Sequence, residues 1–230
     1  MERYNRQIIL PEIREEGQEK LKKAKVLIVG VGGLGSPIAL YLAGAGIGTI
    51  GVIDDDVVSV TNLQRQVLYT ESEVGQSKAL KAKERIESLN SEIKVEAYNT
   101  RLTKDNAENI ISGYDIVVDG CDNFASRYII NDTCVKLGKV YVYGAIRAFD
   151  GQVSVFNYKN GPDYRTLFPD EEEMTTMPAP EKGVIGITPG VVGCVEAAEV
   201  IKIITGFGDV LTGKLWYIDL KTLQTGTILL

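Results

Sequence analysis

Apolar runs and helical stripes alternate along the chain, and their order predicts its elements. Residues 14–23 (REEGQEKLKK) form a short, charged helix, and residues 25–30 (KVLIVG) are apolar without a polar break. That second pattern belongs to a strand covered on both faces. The glycine turn that follows opens a helix of small residues, and residues 48–54 (GTIGVID) make a second covered strand. Residues 54–76 are polar and irregular, and residues 77–90 (SKALKAKERIESLN) are strongly helical. Then come a strand (IKVEAYN), a short helix (KDNAENIIS), a buried strand (DIVVDG) and a helix from about Phe124 to Leu137. KVYVYGAI and GQVSVFN are strands joined by a turn expected around Asp150 and Gly151. Residues 159–183 show no periodicity and are expected to be a mobile surface stretch. VVGCVEAAEVIKIIT is an apolar-striped helix, and KLWYIDL and LQTGTILL close the chain as strands.

This order predicts an α/β fold: a Rossmann-like, doubly wound parallel sheet continued by antiparallel C-terminal strands. With 230 residues and 44% hydrophobic content, residues 1–230 are expected to form one domain with a sizeable core. The net charge of −6 and the lack of a basic stripe argue against a nucleic-acid binder. No apolar stretch reaches the roughly 18 residues of a membrane span, and the N-terminus lacks the pattern of a signal peptide. A cytoplasmic location is expected. The three cysteines, Cys121, Cys134 and Cys194, are odd in number and far apart, so a disulfide framework is not expected. Histidine is absent, which removes His-based triads and most zinc sites.

Gly30, Gly32 and Gly35 match G-x-G-x-x-G directly after a strand and at the start of a helix. Such a loop lets the main chain approach a phosphate, and the helix N-terminus favours the negative charge. Asp54 ends the second strand, where a carboxylate can bond a ribose hydroxyl. Gly33 adds more bare main chain, Asn62 and Arg65 lie in the loop beyond, and Lys78 opens the next helix. Asp122 follows a strand at its carboxyl end. Taken singly, Arg65 and Lys78 also fit solvated charges, and Asp122, with Asn123, also fits a helix cap. Together, two cations and a carboxylate suit a triphosphate attacked at its α-phosphate, with the carboxylate holding Mg²⁺. A nicotinamide-dependent dehydrogenase needs no such set.

The ordered segments RYNRQ, GVGGLGS, D-x-D-x-V, TNLQRQ, VGQSKA and DGCDNFASR resemble the ThiF/MoeB/HesA family, bacterial relatives of the ubiquitin-activating enzymes. The resemblance covers almost the whole chain. It implies ATP and Mg²⁺, a homodimer, and adenylation of a small carrier protein ending in Gly-Gly, with sulfur usually delivered to the acyl-adenylate afterwards. By position, Gly33 resembles the glycine under the phosphates and Asp54 the ribose-binding acid. Asn62 and Arg65 look like the phosphate-contacting pair, Lys78 like the family lysine, and Asp122 like the magnesium-associated carboxylate with Asn123 beside it. Arg6 matches the arginine that reaches the partner subunit's nucleotide, and Arg127 is expected to orient Asp122 or neighbouring backbone. With the carrier's own carboxylate as nucleophile, no general base is needed.

Many relatives carry two C-x-x-C pairs for a structural zinc. Asp163 and Thr166 stand where the first would fall, so no zinc site is expected. Ala179 stands where some relatives place a cysteine that links covalently to the carrier. Cys194 is expected as a buried small hydrophobe and Cys121 as structural, and Glu171–Glu173 as a solvated face. The alternatives are adenylation of a peptide or of a tRNA-bound carboxylate, and a non-catalytic nucleotide-binding subunit of a heteromeric enzyme.

Overall fold

A computed structural model describes residues 2–177 and 183–230. Its helices are α1 (Asn5–Ile8), α2 (Arg14–Lys23), α3 (Gly35–Ala45), α4 (Lys78–Leu89), α5 (Ala107–Ile111), α6 (Phe124–Leu137), α7 (Tyr164–Leu167), α8 (Glu171–Thr176) and α9 (Ile187–Thr205). Its strands are β1 (Lys25–Val29), β2 (Thr49–Ile53), β3 (Lys94–Tyr98), β4 (Ile116–Asp119), β5 (Val140–Arg147), β6 (Asp150–Phe156), β7 (Lys214–Asp219) and β8 (Gln224–Leu229). They form one eight-stranded sheet in the order β3-β2-β1-β4-β5-β6-β7-β8. The pairs from β3 to β5 are parallel, and those from β5 to β8 are antiparallel. The expected architecture is therefore observed.

The apolar runs of the central strands follow from two covered faces. Val26 and Ile28 of β1 pack into one core with Ile38 and Leu42 of α3 and Val192 and Val200 of α9. Leu27 and Val29, pointing the other way, pack with Ile111, Tyr128 and Ile130 of α5 and α6. Each of these side chains is at most 4% exposed, so neither face of β1 has a polar position to mark its period. The chain leaves β1 toward β2 and β3 on one side and returns to β4 on the other. The crevice at the carboxyl ends of β1 and β4 is thus the switch point where open α/β sheets bind ligands. No helix among the described residues is long and apolar enough to cross a membrane.

Three local expectations need correction. The β5–β6 turn lies at Ala148–Phe149, because Arg147 pairs with Asp150 and Ile146 with Gly151. Gly151 belongs to the strand because a Cβ there would collide with Val192 of α9. Helix α9 starts at Ile187, with Pro189 in its first turn, where proline costs no hydrogen bond. The stretch expected to lack regular structure carries α7 and α8, N-capped by Asp163 and Asp170. Asp163 Oδ1 accepts hydrogen bonds from the Thr166 amide and hydroxyl, both 3.1 Å, so this i, i+3 pair caps a helix. Arg165 ties the segment to α6 through Asp132 at 2.7 Å and to α8 through Glu171 at 2.6 Å. Glu171 is therefore a partner in a network, while Glu172 and Glu173 are exposed. Tyr164 is fully buried among Tyr128, Tyr143 and Phe168. Ala179 lies outside the described residues.

Candidate active site

The glycine loop fills the space between β1, β4 and α3. Gly30 has φ +85°, and a Cβ there would sit 2.7 Å from the Gly120 carbonyl oxygen, so no other residue fits. Gly35 faces the Gly30 carbonyl so closely that a side chain would collide with it. The Val31 peptide between them is held from both sides. Its amide donates to Asp54 Oδ2 at 2.9 Å, and its carbonyl accepts the Tyr69 hydroxyl at 2.8 Å. Asp54 Oδ1 also accepts the Asp56 amide at 2.9 Å. Burial pushes the Asp54 carboxyl up from its ordinary value, against the two backbone amides and Lys78.

Lys78 starts α4, whose N-cap is Ser77. Its ammonium pairs with Asp56 at 3.0 Å, and the residue is only 5% exposed. Asn62 ends a short 3-10 turn whose carbonyl accepts the amides of Arg65 and Gln66. That turn lays Arg65 beside the loop: its Cδ is 3.7 Å from where a Gly33 Cβ would stand, and Nη1 donates to the Thr61 carbonyl at 3.1 Å. Pro189 covers the same glycine from α9, at 3.2 Å from that position. Asp54, Arg65 and Lys78 are therefore brought around one loop with Gly30, Gly32, Gly33 and Gly35, while Asn62 contributes the carbonyl of the turn that positions Arg65.

Across the crevice, β4 ends at Asp119 and leads to Cys121, Asp122 and Asn123. Asn123 caps α6 by accepting the Ser126 amide at 2.9 Å. Asp122 is thereby left out of the cap, exposed, with Asn123 Nδ2 at 3.3 Å. Arg127 holds the neighbouring backbone, one of its two expected roles, rather than Asp122 itself, and it is not a surface charge. It is 6% exposed and donates to Asp119 at 2.9 Å, to the Cys121 carbonyl at 3.0 Å and to the Gly144 carbonyl at 3.2 Å. Burial, the largest single influence, opposes its cation, and Asp119 together with Tyr143, Tyr141 and Tyr164 outweighs it. Asp119, 0% exposed, also accepts the Tyr141 hydroxyl and the Cys121 amide, each at 2.8 Å. Arg127 thus fixes the loop that carries Asp122 through the loop's backbone.

Arg6 lies elsewhere in its own chain. It is exposed on α1 and makes no hydrogen bond or ion pair among the described residues. Its neighbour Tyr4 packs on Gly46, and Gln7 donates to the Ala45 carbonyl, at the C-terminal end of α3. The glycine loop is at the other end of that helix, about 16 Å away for 11 residues.

The cysteines are held as thiols. Burial, then Asp119, pushes Cys121 well up, and its Sγ donates to the Val29 carbonyl at 3.4 Å. Burial raises Cys134 to about 12. Cys194 is only half-buried, contrary to its expected core position, and lines an open apolar groove of about 620 Å³ with Val191, Val195 and Trp216.

Glu196 escaped the sequence reading, although it sits between Val192 and Val200 on the apolar stripe of α9. It is fully buried against Gly144, and neither carboxyl oxygen has a partner among the described residues. Burial first, then Asp119, pushes its pKa far up, with Arg127 opposing. A proton held in the fold but lost on unfolding costs stability once the pH exceeds the unfolded value of 4.5. Glu196→Gln should therefore be more stable than the parent above that pH. The gain should grow by about 1.4 kcal/mol per pH unit up to the folded pKa and vanish near the unfolded one. Urea titrations at several pH values would show it, and a gain independent of pH would refute the protonated state.

Fold and loop define a doubly wound α/β protein with a glycine-rich loop at its switch point. A family model described as the ThiF family matches residues 4–230, and the chain belongs to the ThiF family. It is 50% identical over 225 residues to the sulfur carrier protein adenylyltransferase of Thermus thermophilus, covering 95% of this chain and 83% of that protein. It is 51% identical over 218 residues to the adenylyltransferase and sulfurtransferase MOCS3 of Culex quinquefasciatus, covering 94% of this chain. The chain spans 50% of that longer relative. The solved structure of E. coli MccB with ATP superposes with a TM-score of 0.82 at 26% identity, over 93% of this chain and 65% of the other. Among the described residues, no three His, Cys, Asp or Glu side chains are grouped to hold a metal ion.

Proposed function

We propose that the chain adenylates the C-terminal carboxylate of a small ubiquitin-like sulfur carrier protein ending in Gly-Gly, using ATP. The observation that carries this is the crevice itself. Asp54, Arg65, Lys78 and the glycine loop stand on one side of it, and Asp122, an exposed carboxylate that takes no part in the helix cap, stands on the other. The naming of the relatives as adenylyltransferases supports the same reading. A triphosphate lies over the loop, with its ribose hydroxyls toward Asp54. The carrier carboxylate, ionised at neutral pH, attacks the α-phosphorus. A carboxyl-oxygen–phosphorus bond forms, the bond to the β-phosphate oxygen breaks, and pyrophosphate leaves. No proton needs to move, which suits a chain without histidine. Arg65 neutralises charge on the phosphates, while Lys78 holds Asp56 and through it the loop beyond β2.

A magnesium ion would be held by Asp122. One carboxylate is sufficient because this ion takes its other ligands from phosphates and water. It would supply charge neutralisation on the leaving pyrophosphate. Ala179, at the position where some relatives place a linking cysteine, leaves sulfur transfer to another protein, and the reaction runs in the cytoplasm.

Arg6 points to a homodimer. It cannot reach its own loop along α3, and it is followed by exposed Ile9 and Leu10, which are 62% and 47% exposed, a surface suited to a second copy. The test is carrier-dependent ATP–pyrophosphate exchange with Gly-Gly-ended proteins. Exchange should fall steeply in Arg65→Ala and in Arg6→Ala, and mixing the two variants should restore about a quarter of it, because half the dimers then hold one intact site. Failure of mixing to restore exchange would refute the shared site. ATP binding without exchange for any carrier, peptide or tRNA would mark a non-catalytic subunit.

A further inference from the structure

Gln66 is buried beside the glycine loop, only 5% exposed, and its carboxamide makes no hydrogen bond among the described residues. Its Oε1 is fully enclosed and unpartnered. Such a group is costly to keep, and a leucine would fill the same space without that cost. Its position is matched by the loop. Gly32 has no positive φ, so its backbone does not demand glycine. What a Cβ there would meet is Gln66 Nε2, at 3.2 Å. The bare Cα of Gly32 makes room for the carboxamide, as that of Gly33 makes room for Arg65 and Pro189. Two consecutive side chains of one turn, Arg65 and Gln66, therefore overlie two consecutive glycines.

We infer that Gln66 is a further nucleotide-binding residue, whose carboxamide donates to a phosphate oxygen of a nucleoside triphosphate seated on the loop. The inference rests on the nucleotide reading above. It assigns a hydrogen-bond donor beside the cation Arg65: one residue supplies charge, the next direction. An amide turns end for end about its last torsion at little cost, so its amino end can be turned to the phosphates as donor. Among the described residues neither end is bonded, which leaves the amino end available to a phosphate oxygen.

Calorimetric titration of the full chain with ATP and with adenosine tests this, alongside thermal unfolding without ligand. Gln66→Leu should unfold no lower than the parent, because an unpaired polar group is removed. Its ATP affinity should fall roughly tenfold to a hundredfold, the usual loss for a hydrogen bond to a charged group, while adenosine affinity stays the same. Gln66→Glu, which keeps the shape and adds a negative charge, should lose at least as much toward ATP and nothing toward adenosine, and it serves if the leucine variant does not fold. A parent that binds ATP, together with variants that bind it equally well, would overturn the role of Gln66 alone. Equal losses for ATP and adenosine would overturn it too, marking a structural role. A parent that binds neither ligand would overturn the nucleotide reading with it.

Discussion

Arg127→Met should destabilise the chain by about 3–5 kcal/mol, the usual result of stripping one partner from a buried ion pair. For a domain of this size that is a fall in Tm of about 10 °C. Asp119 has no exposure and would keep only the Tyr141 hydroxyl and the Cys121 amide against its charge. The carbonyls of Cys121 and Gly144 would lose their donor at the same time. Methionine preserves much of the volume beside Phe124 and Tyr143, whose rings lie 5.8 Å and 5.4 Å from the guanidinium carbon, so the loss reports charge more than packing. Adding Asp119→Asn to Arg127→Met should recover part of the loss by removing the orphaned charge. A single-variant loss below about 1 kcal/mol would mean that water reaches the pair.

Asp122→Ala should behave in the opposite way. Its side chain is exposed, its neighbour holds the helix cap, and its substitution should leave Tm within about a degree. Carrier-dependent exchange should nevertheless fall roughly 10³-fold, about 4 kcal/mol of transition-state stabilisation. Exchange retained within tenfold in that variant would remove Asp122 from the chemistry. The two substitutions lie five positions apart and should separate folding from catalysis.

The parts of the fold that were legible in the sequence are those with a period or a punctuating residue. β1 shows as KVLIV because both its faces are covered, and α6 is bracketed by Asn123 and Gly138. The loop shows because close approach at Gly30 and Gly35 admits no side chain. Helices of four and six residues, such as α7 and α8, are too short for a stripe, and their Asp caps look like ordinary surface acids. The β5–β6 turn was misplaced because Asp-Gly signals a turn locally, whereas packing against Val192 decides where that glycine goes. Asp122 and Arg127 were both singled out, but the partner of Arg127 was not. Asp119 ends a four-residue apolar strand, and only the tertiary arrangement turns that end inward toward α6 and β5. Gln66 lies in an irregular loop, where burial has no sequence signature, whereas Glu196 stands on the apolar stripe of α9, which signals its burial but not its want of a partner.

The double hold on the Val31 peptide has a thermodynamic consequence. With its amide bound to Asp54 and its carbonyl bound to Tyr69, this link of the loop has little conformational freedom left for a ligand to remove. Its ordering entropy is spent when the chain folds, before any nucleotide arrives. Encounter can then proceed without a slow closing step at this loop, and a weakened Val31 hold would show first as a lower affinity with a larger entropic penalty.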